Sequence, residues 1–234
     1  MADDLLVIIP TRGRPQAVPE IVKAWDDTGA SADLLFCVDK DDPELAAYKA
    51  LAKDLADDAR VRFVFWARKR LCGTLNQAAV KNAPNYRYLA FMGDDHRPRA
   101  ATMAWDARIR ECLSGGPGIV YGNDLLQGQA MATAVAMTSD IVTTLGYFAP
   151  DCLVHLCLDL VWLEWGKAMG RITYLPDMVI EHLHPAAQKA ALDKGYEECN
   201  SPEQVASDSA AYHTYMQSEF HSDVDKLRAL VAAS

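Results

Sequence analysis

Two adjacent acids and an imidazole directly follow an apolar stretch of the chain. Residues 88–92 are apolar, and they lead through Gly93 into Asp94, Asp95 and His96. A continuous apolar stretch is typical of a central strand of a parallel sheet, because both faces of such a strand are buried. Two carboxylates at its end are poorly solvated and repel each other unless a cation or several donors lie between them. These residue types indicate a hard divalent metal that binds carboxylate and phosphate oxygens.

A structural explanation of the same acids stays open at this point. Asp95 precedes Arg97 and Pro98, and this order is also that of a helix whose N-cap is Asp95 and whose first turn contains the proline. The two interpretations differ in what they require elsewhere. A metal site needs further charged or imidazole groups to gather at the same place.

Strand-like and helix-like patterns alternate along the first part of the chain, and such an alternation can bring charged groups together. Residues 5–9, 34–38, 61–66 and 86–92 are apolar and strand-like, and stretches of helical pattern separate them. This alternation predicts a parallel α/β sheet with right-handed crossovers. Ligands of such sheets bind beyond the carboxyl ends of the strands. Charged residues follow all four strands, so we expect them to converge on one edge of the sheet.

The cations in these clusters are mostly arginines. Arg12 and Arg14 follow the first strand, and the planar guanidinium group binds two phosphate oxygens at once. Arg68 and Arg70 follow the third strand and would add positive charge to the same edge. Asn76, a little further along, could donate a hydrogen bond to a ligand, and a purely structural role is equally compatible with the sequence.

An acidic cluster follows the second strand. Asp39 could accept hydrogen bonds from a nucleobase or a ribose hydroxyl. Asp41 or Asp42 could instead cap a helix that begins at Pro43.

Two histidines follow the last strand-like segment. His182 and His184 alternate along the chain, so in a regular strand they point to opposite faces. Only one of them can then bind the metal of the aspartates, unless the chain turns at Leu183.

Asp159 is an acid within an otherwise apolar helical stretch. A buried carboxylate has a raised pKa, which is the property that a general base requires. A structural hydrogen bond to the backbone or to His155 is the alternative.

Composition limits the class of protein. Half of the 234 residues are apolar, and the net charge of -9 opposes an extended nucleic-acid surface. No stretch approaches the roughly 20 apolar residues that cross a bilayer, and the N-terminus lacks the basic region of a signal peptide. The six cysteines contain no CxxC pair, which predicts reduced thiols. We therefore expect a cytoplasmic protein without a membrane segment.

Five segments together resemble the GT-A glycosyltransferases, in particular the large inverting family 2. In chain order they are VIIPTRGRP (7–15), FCVDKDDP (36–43), RKRLCGTLNQAA (68–79), FMGDDHRPR (91–99) and RITYLPDMVIEHLHP (171–185). The fourth resembles the DxD-type motif, and the fifth resembles the closing strand pair whose histidine completes the metal site. The chain departs from the family at Leu158, where an acidic Glu-Asp pair would have its glutamate.

This resemblance implies a fold, a reaction and a cofactor. The expected fold is α/β: a GT-A, Rossmann-like domain over residues 1–185 with a mixed, mainly parallel sheet flanked by helices. Residues 186–234 would form a helical C-terminal extension packed on the same domain. The implied reaction moves a sugar from a nucleotide-diphosphate donor, a UDP- or GDP-sugar, to an acceptor hydroxyl with the help of Mn²⁺ or Mg²⁺.

The resemblance also implies a role for each candidate residue. Asp159 would be the catalytic base of an inverting reaction. The metal would be held by Asp95 with His182 or His184. The donor would be bound by Pro10, Thr11, Arg12, Arg14, Asp39, Arg68, Arg70, Asn76 and Asp94.

Two other functions compete with this one. A sugar-phosphate nucleotidyltransferase has a similar sheet but requires a glycine-rich phosphate loop, of which residues 11–15 are a poor version. An inactive nucleotide-sugar-binding module would explain the missing glutamate beside Asp159. The acceptor could be a small molecule, a protein side chain or a hydroxylated DNA base, and the acidic charge disfavours DNA. Neither the acceptor nor the oligomeric state follows from the sequence.

Overall fold

A computed structural model describes residues 4–234 as an eight-stranded sheet covered by helices on both faces. The strands are β1 Leu5–Thr11, β2 Asp33–Asp39, β3 Val61–Trp66, β4 Tyr88–Phe91, β5 His96–Pro98, β6 Ile119–Asn123, β7 Val135–Thr138 and β8 Ile172–His182. The helices are α1 Ala17–Thr28, α2 Leu45–Asp54, α3 Arg70–Asn82, α4 Trp105–Leu113, α5 Ser139–Leu145, α6 Leu158–Ala168, α7 Lys194–Cys199, α8 Pro202–Ser218 and α9 Phe220–Ala233.

The sheet is mixed and mainly parallel, as the sequence predicts. Its strand order is β3-β2-β1-β4-β7-β6-β8-β5. The first four strands of the chain run in one direction, and β6 and β8 share it. Only β5 and β7 run against them. The predicted α/β class is confirmed.

The core lies on both faces of the sheet because the central strands are apolar at every position. In β1, Leu6 and Ile8 point into one apolar cluster, whereas Leu5, Val7 and Ile9 point into the other. All five side chains are fully buried. This alternation explains why the strand has no polar face in the sequence.

The C-terminal helices cover one of these two faces. Val224 and Leu227 of α9 are buried in the same apolar cluster as α5 and α6. The hydroxyl of Tyr215 in α8 accepts a hydrogen bond from Trp165 Nε1 (2.8 Å) and donates one to Asp223 Oδ2 (2.8 Å). Helices α8 and α9 therefore pack on the same body as the sheet. Within residues 4–234 no helix is both long and apolar enough to cross a membrane.

Two local predictions differ from the structure. The alternative of a helix capped by Asp95 is wrong, because residues 96–98 form β5, which pairs antiparallel with β8, and the next helix begins only at Trp105. Asp95 is consequently not a helix cap. The strand pair expected within residues 171–185 is one strand, β8, whose pairing with β6 shifts register after Gly122. A side chain at Gly122 would collide with the backbone oxygen of Met178 there.

Candidate active site

A cavity of about 290 Å³ lies at the carboxyl ends of β1, β2 and β4. Twelve of the thirteen candidate residues line it: Pro10, Thr11, Arg12, Arg14, Asp39, Arg68, Arg70, Asp94, Asp95, Asp159, His182 and His184. The four charged clusters that follow the first four strands therefore meet at one edge of the sheet.

Asp94 is held rigidly at the end of β4. It accepts a hydrogen bond from Thr11 Oγ1 (2.8 Å) on the neighbouring strand and another from Arg14 Nη1 (2.8 Å). Burial raises the pKa of the Asp94 carboxyl, and the Arg14 guanidinium acts against this rise. The β1 turn and the β4 turn are thus joined by an ion pair within the cavity.

Asp95, His96 and His182 form a compact group. One ligand atom from each lies within 4.8 Å of the other two. Asp95 Oδ2 is 3.3 Å from His182 Nε2, and Asp95 Oδ1 is 3.1 Å from His96 Nδ1. The two imidazole rings stack with their centroids 4.2 Å apart. The group therefore contains one carboxylate and two imidazoles.

Strand pairing creates this group. His96 stands directly opposite His182 in the antiparallel pair of β5 and β8, although 86 positions separate them in the chain. Gly93 makes the tight turn before β5 possible, because a side chain there would collide with Asp95 Oδ1 and crowd His96 Nδ1. The backbone oxygen of Asp95 also accepts a hydrogen bond from Leu183 N (2.8 Å).

The charge state of the group suits a cation. Burial alone would raise the pKa of Asp95, but hydrogen bonds from His182 and His96 hold it well below its usual value. Burial lowers the pKa of His96, so its imidazole is neutral, which is the form that binds metals.

The residues present fit a divalent metal ion. Within the described part of the chain, His96 Nε2 and His182 Nδ1 are buried side-chain nitrogens that lack a hydrogen-bond partner. The fit rests on ligand type: Asp95 and His182 offer a carboxylate oxygen and an imidazole nitrogen close together, and both are ligands that divalent transition ions accept.

His184 lies beside this group rather than in it. The chain turns at Leu183, where His184 N donates a hydrogen bond to His182 O (2.9 Å), so the two histidines do not point to opposite faces. Their ring centroids are 4.9 Å apart. His184 Nδ1 accepts a hydrogen bond from Ala186 N (3.1 Å), which occupies one of its two nitrogens.

The second charged cluster pairs Asp39 with arginines. Asp39 Oδ2 is 3.1 Å from Arg12 Nη1 and 3.6 Å from Arg68 Nε. Burial raises the pKa of Asp39, and the two arginines oppose the rise. Asp42 caps its own turn, accepting hydrogen bonds from Gly13 N (2.9 Å) and Glu44 N (2.7 Å).

Asp159 lies in the first turn of α6 and faces the cavity. Its carboxylate accepts a hydrogen bond from Leu160 N (3.0 Å), and among the described residues no hydrogen bond joins it to His155. His155 Nδ1 instead lies 3.5 Å from Cys199 Sγ. Burial raises the pKa of Asp159 to about 6. The structure therefore leaves this carboxylate available for proton transfer.

Asn76 is the one candidate that the structure does not bring to the cavity. Its Oδ1 accepts hydrogen bonds from Phe148 N and Ala149 N (both 2.9 Å). Its Nδ2 donates to Ala149 O (2.8 Å) and to Asp151 Oδ1 (2.7 Å). With these four bonds the amide is fully used in holding the loop before α6, which is the structural role considered above.

The sequence did not reveal the contribution of α7. Asp193, Tyr196 and Glu198 reach the cavity edge and contact Arg14, Asp95 and the arginines after β3. More than 100 positions in the chain separate the two partners of each contact, so no local sequence pattern predicts these contacts. His96 is different, because its position next to two acids was a visible signal of a possible ligand.

Solved glycosyltransferase structures share this GT-A-like fold at low sequence identity. Solved structures that resemble the chain include the mannosyltransferase PcManGT from Pyrobaculum calidifontis in complex with GDP-Man and Mn²⁺. The two structures superpose with a TM-score of 0.60 at 14% sequence identity. The match covers 100% of this chain and 75% of PcManGT.

Structures of S. aureus TarS resemble the chain to a similar degree. TarS 1-349 with UDP gives a TM-score of 0.58 at 10% identity and covers 77% of this chain and 59% of TarS. The complex of TarS 1-349 with UDP-GlcNAc gives a TM-score of 0.57 at 12% identity. That match covers 88% of this chain and 69% of TarS 1-349. No family profile and no curated protein matches the sequence. The fold is therefore shared at low sequence identity.

Proposed function

We propose that this chain is a metal-dependent glycosyltransferase that moves a sugar from a UDP- or GDP-sugar to an acceptor hydroxyl. One observation carries the proposal: a single cavity collects the Arg14–Asp94 pair, the group of Asp95 and His182, and the available carboxylate of Asp159. The resemblance to structures with GDP-Man, UDP and UDP-GlcNAc in a shared fold supports it.

The donor would lie along the arginine-lined edge. Arg12, Arg14 and Arg68 would pair with the diphosphate, and the carboxylates of Asp39 and Asp94 would accept hydrogen bonds from the nucleoside. At about 4 Å and an effective dielectric constant near 20, each such unit charge is worth about 4 kcal/mol. This stabilisation accelerates the reaction where charge develops on the leaving diphosphate.

Asp95 and His182 would hold the divalent ion. When bound, the ion supplies positive charge next to the leaving phosphate oxygens. The proposed cofactor is Mn²⁺ or Mg²⁺.

Asp159 would act as the general base. The acceptor oxygen forms a bond to the anomeric carbon while the bond from that carbon to the diphosphate oxygen breaks, and the acceptor proton moves to the Asp159 carboxylate. Attack from the face opposite the diphosphate inverts the anomeric configuration. Leu158 beside this base is apolar, so it contributes burial instead of a second charge.

The competing functions have less support. In a nucleotidyltransferase of this fold, the loop after β1 would bind phosphate through free backbone amides. Here Gly13 N donates to Asp42 Oδ2 (2.9 Å) and Arg14 N donates to the Tyr48 hydroxyl (2.9 Å), so two of these amides are already used. The raised pKa of Asp159 favours an active enzyme over an inactive binding module.

Calorimetric titration with a panel of UDP- and GDP-sugars, with and without Mn²⁺, tests the proposal. We expect one nucleotide sugar to bind in a metal-dependent way and to be slowly hydrolysed, with release of the nucleoside diphosphate. Asp95→Asn should lose the metal-dependent part of the affinity. Asp225→Asn removes an exposed acid of α9 and serves as the control.

The outcomes separate the alternatives. Failure of the wild-type protein to bind any donor overturns the proposal, and unchanged affinity in Asp95→Asn removes the metal assignment. Binding without turnover identifies an inactive nucleotide-sugar-binding module.

A further inference from the structure

Asp208 is a buried acid of α8 whose carboxylate faces the segment leading into α6. The residue is 1% exposed. Its Oδ1 accepts a hydrogen bond from Val154 N (2.9 Å), and its Oδ2 accepts bonds from His155 N (3.0 Å) and Leu156 N (2.7 Å). Gln204, one turn earlier in α8, donates a fourth bond from its Nε2 to Oδ2 (2.9 Å). A C-terminal helix thus holds three consecutive backbone amides of this segment.

A carboxylate matches this position better than a neutral side chain does. It offers about four acceptor sites and no donor, and consecutive backbone N–H groups that point the same way bind an anion well. An asparagine at position 208 would turn an NH₂ group toward these N–H donors. A hydrocarbon side chain would leave the amides without an acceptor, which is costly.

The backbone next to these amides is strained. Cys157 directly precedes α6 and has a φ of 68°, in the left-handed region that a residue with a side chain adopts at a cost. Such a conformation persists only where the surrounding contacts determine it. The bonds to Asp208 end at Leu156, one residue before Cys157, and Asp159 follows two residues after it. Asp208 therefore holds the chain just before the helix turn that carries the proposed base.

Other contacts hold the same segment at different points. Asn76 binds the backbone of Phe148 and Ala149, well before the start of α6. Cys72 N donates to Val154 O (3.1 Å), so α3 also supports the segment. The three bonds to Asp208 extend this support to the last residues before Cys157.

We propose that Asp208 is a positioning residue of the active site, which holds the backbone of residues 154–156 so that α6 begins where Asp159 faces the cavity. This inference rests on the proposed function for its catalytic meaning, whereas the contact itself is testable without a donor. A displacement of about 1 Å at a reacting group can lower a rate about a hundredfold. Helix α8 would thus contribute to turnover through the base and not through the arginines that bind the donor.

Asp208→Asn tests the proposal, with Asp223→Asn as its matched control. Asp223 is a buried acid of α9, 2% exposed, and it accepts hydrogen bonds from the Tyr215 hydroxyl (2.8 Å) and Lys226 Nζ (3.0 Å). These two partners lie outside the lining of the cavity. Both variants lose a buried carboxylate from the C-terminal helices, so both should be less stable than the wild-type protein.

Kinetics and calorimetry of the two variants separate positioning from general damage. Asp208→Asn should lower kcat about ten- to a hundredfold, because the base is misplaced, and should leave the Kd of the nucleoside diphosphate unchanged. Asp223→Asn should change neither value.

Amide hydrogen exchange gives a second readout that needs no turnover. In the wild-type protein the amides of residues 154–156 should be protected. Asp208→Asn should speed their exchange at least about tenfold, the effect of losing a hydrogen bond to a charged group. Asp223→Asn should leave the exchange of this segment unchanged.

Several results would overturn the proposal. They are equal kcat values in Asp208→Asn and Asp223→Asn, a loss of nucleotide affinity that parallels the loss of kcat, or unprotected amides at 154–156 in the wild-type protein. The wild-type exchange rates keep the proposal open to refutation even if Asp208→Asn fails to fold. If Asp208→Asn removes the protection in a protein that turns over no nucleotide sugar, the support of α6 by Asp208 stands and only the transferase proposal fails.

Discussion

Among single residues, Asp159 shows how position tunes a carboxylate. It is an acid in the first turn of a helix whose neighbours Leu158 and Val161 are buried. Burial raises its pKa, and hydrogen bonds from the backbone of Leu160 and of Asp159 itself offset the rise only in part. Its pKa of about 6 places it close to the pH at which a base works best.

Asp159→Asn is expected to bind the donor normally and to lose turnover by about 10²- to 10⁴-fold, the usual contribution of a general base. In the wild-type enzyme, kcat should fall as the pH decreases through about 6, because protonation removes the base at a higher pH than for an ordinary carboxylate. Steady-state kinetics across this range measure both effects. Glu164→Gln, a substitution on the exposed side of the same helix, is the control. Wild-type turnover in Asp159→Asn would leave the base unidentified.

At the scale of elements, the sequence predicts the strands that bear the site and misses the one that completes it. Strands β1 to β4 are mostly apolar, and charged residues follow each of them, which is a strong local signal. Strand β5 has three residues, one of them Pro98, and it exists because it pairs with β8 about 80 positions further on. The local sequence was also compatible with the start of a helix, and the pairing with β8 decided for a strand.

Asn76 is the clearest case of two roles that the sequence could not distinguish. An asparagine one turn into a helix can face a ligand or a loop with the same local pattern. Only the fold shows that residues 148–151 lie within its reach.

Asn76→Ala is expected to destabilise the protein by about 2–4 kcal/mol, because the buried amides of Phe148 and Ala149 lose their acceptor. Urea denaturation measures the change in the free energy of unfolding. Gln77→Ala truncates the next amide of the same helix, at a partly exposed position, and should cost much less. Equal stability of the two variants, with weaker donor binding only in Asn76→Ala, would return Asn76 to the binding site.

At the scale of the whole molecule, the last fifth of the chain folds back over the cavity. Asp193 accepts hydrogen bonds from Arg14 Nε (2.7 Å) and Nη2 (2.9 Å). Both oxygens of Glu198 accept from Arg68 Nη2 (2.8 Å each), and Glu198 also pairs with Arg70. Such contacts are invisible in a sequence, since the distance along the chain exceeds 125 residues.

These acids occupy the guanidinium groups that the proposed donor needs. A carboxylate and a phosphate oxygen compete for the same donors of an arginine. Tyr196, which lies between Asp193 and Glu198 in the chain, also contacts the proposed donor site. Its hydroxyl donates a hydrogen bond to Asp95 Oδ2 (2.6 Å), and its ring centroid lies 4.3 Å from the Arg14 guanidinium. Donor binding must therefore displace α7 or replace its ion pairs one by one.

Glu198→Gln is therefore expected to strengthen the binding of UDP or GDP about two- to thirtyfold. The reason is that the diphosphate no longer competes with two half-exposed ion pairs, each worth about 0.2–1 kcal/mol. Calorimetry of the nucleoside diphosphate measures the shift. Glu203→Gln makes the same change in net charge at an exposed position of α8. This control separates the local competition for the arginines from the effect of the protein's net charge. If Glu198→Gln binds more weakly than the wild-type protein, α7 supports the donor site instead of competing for it.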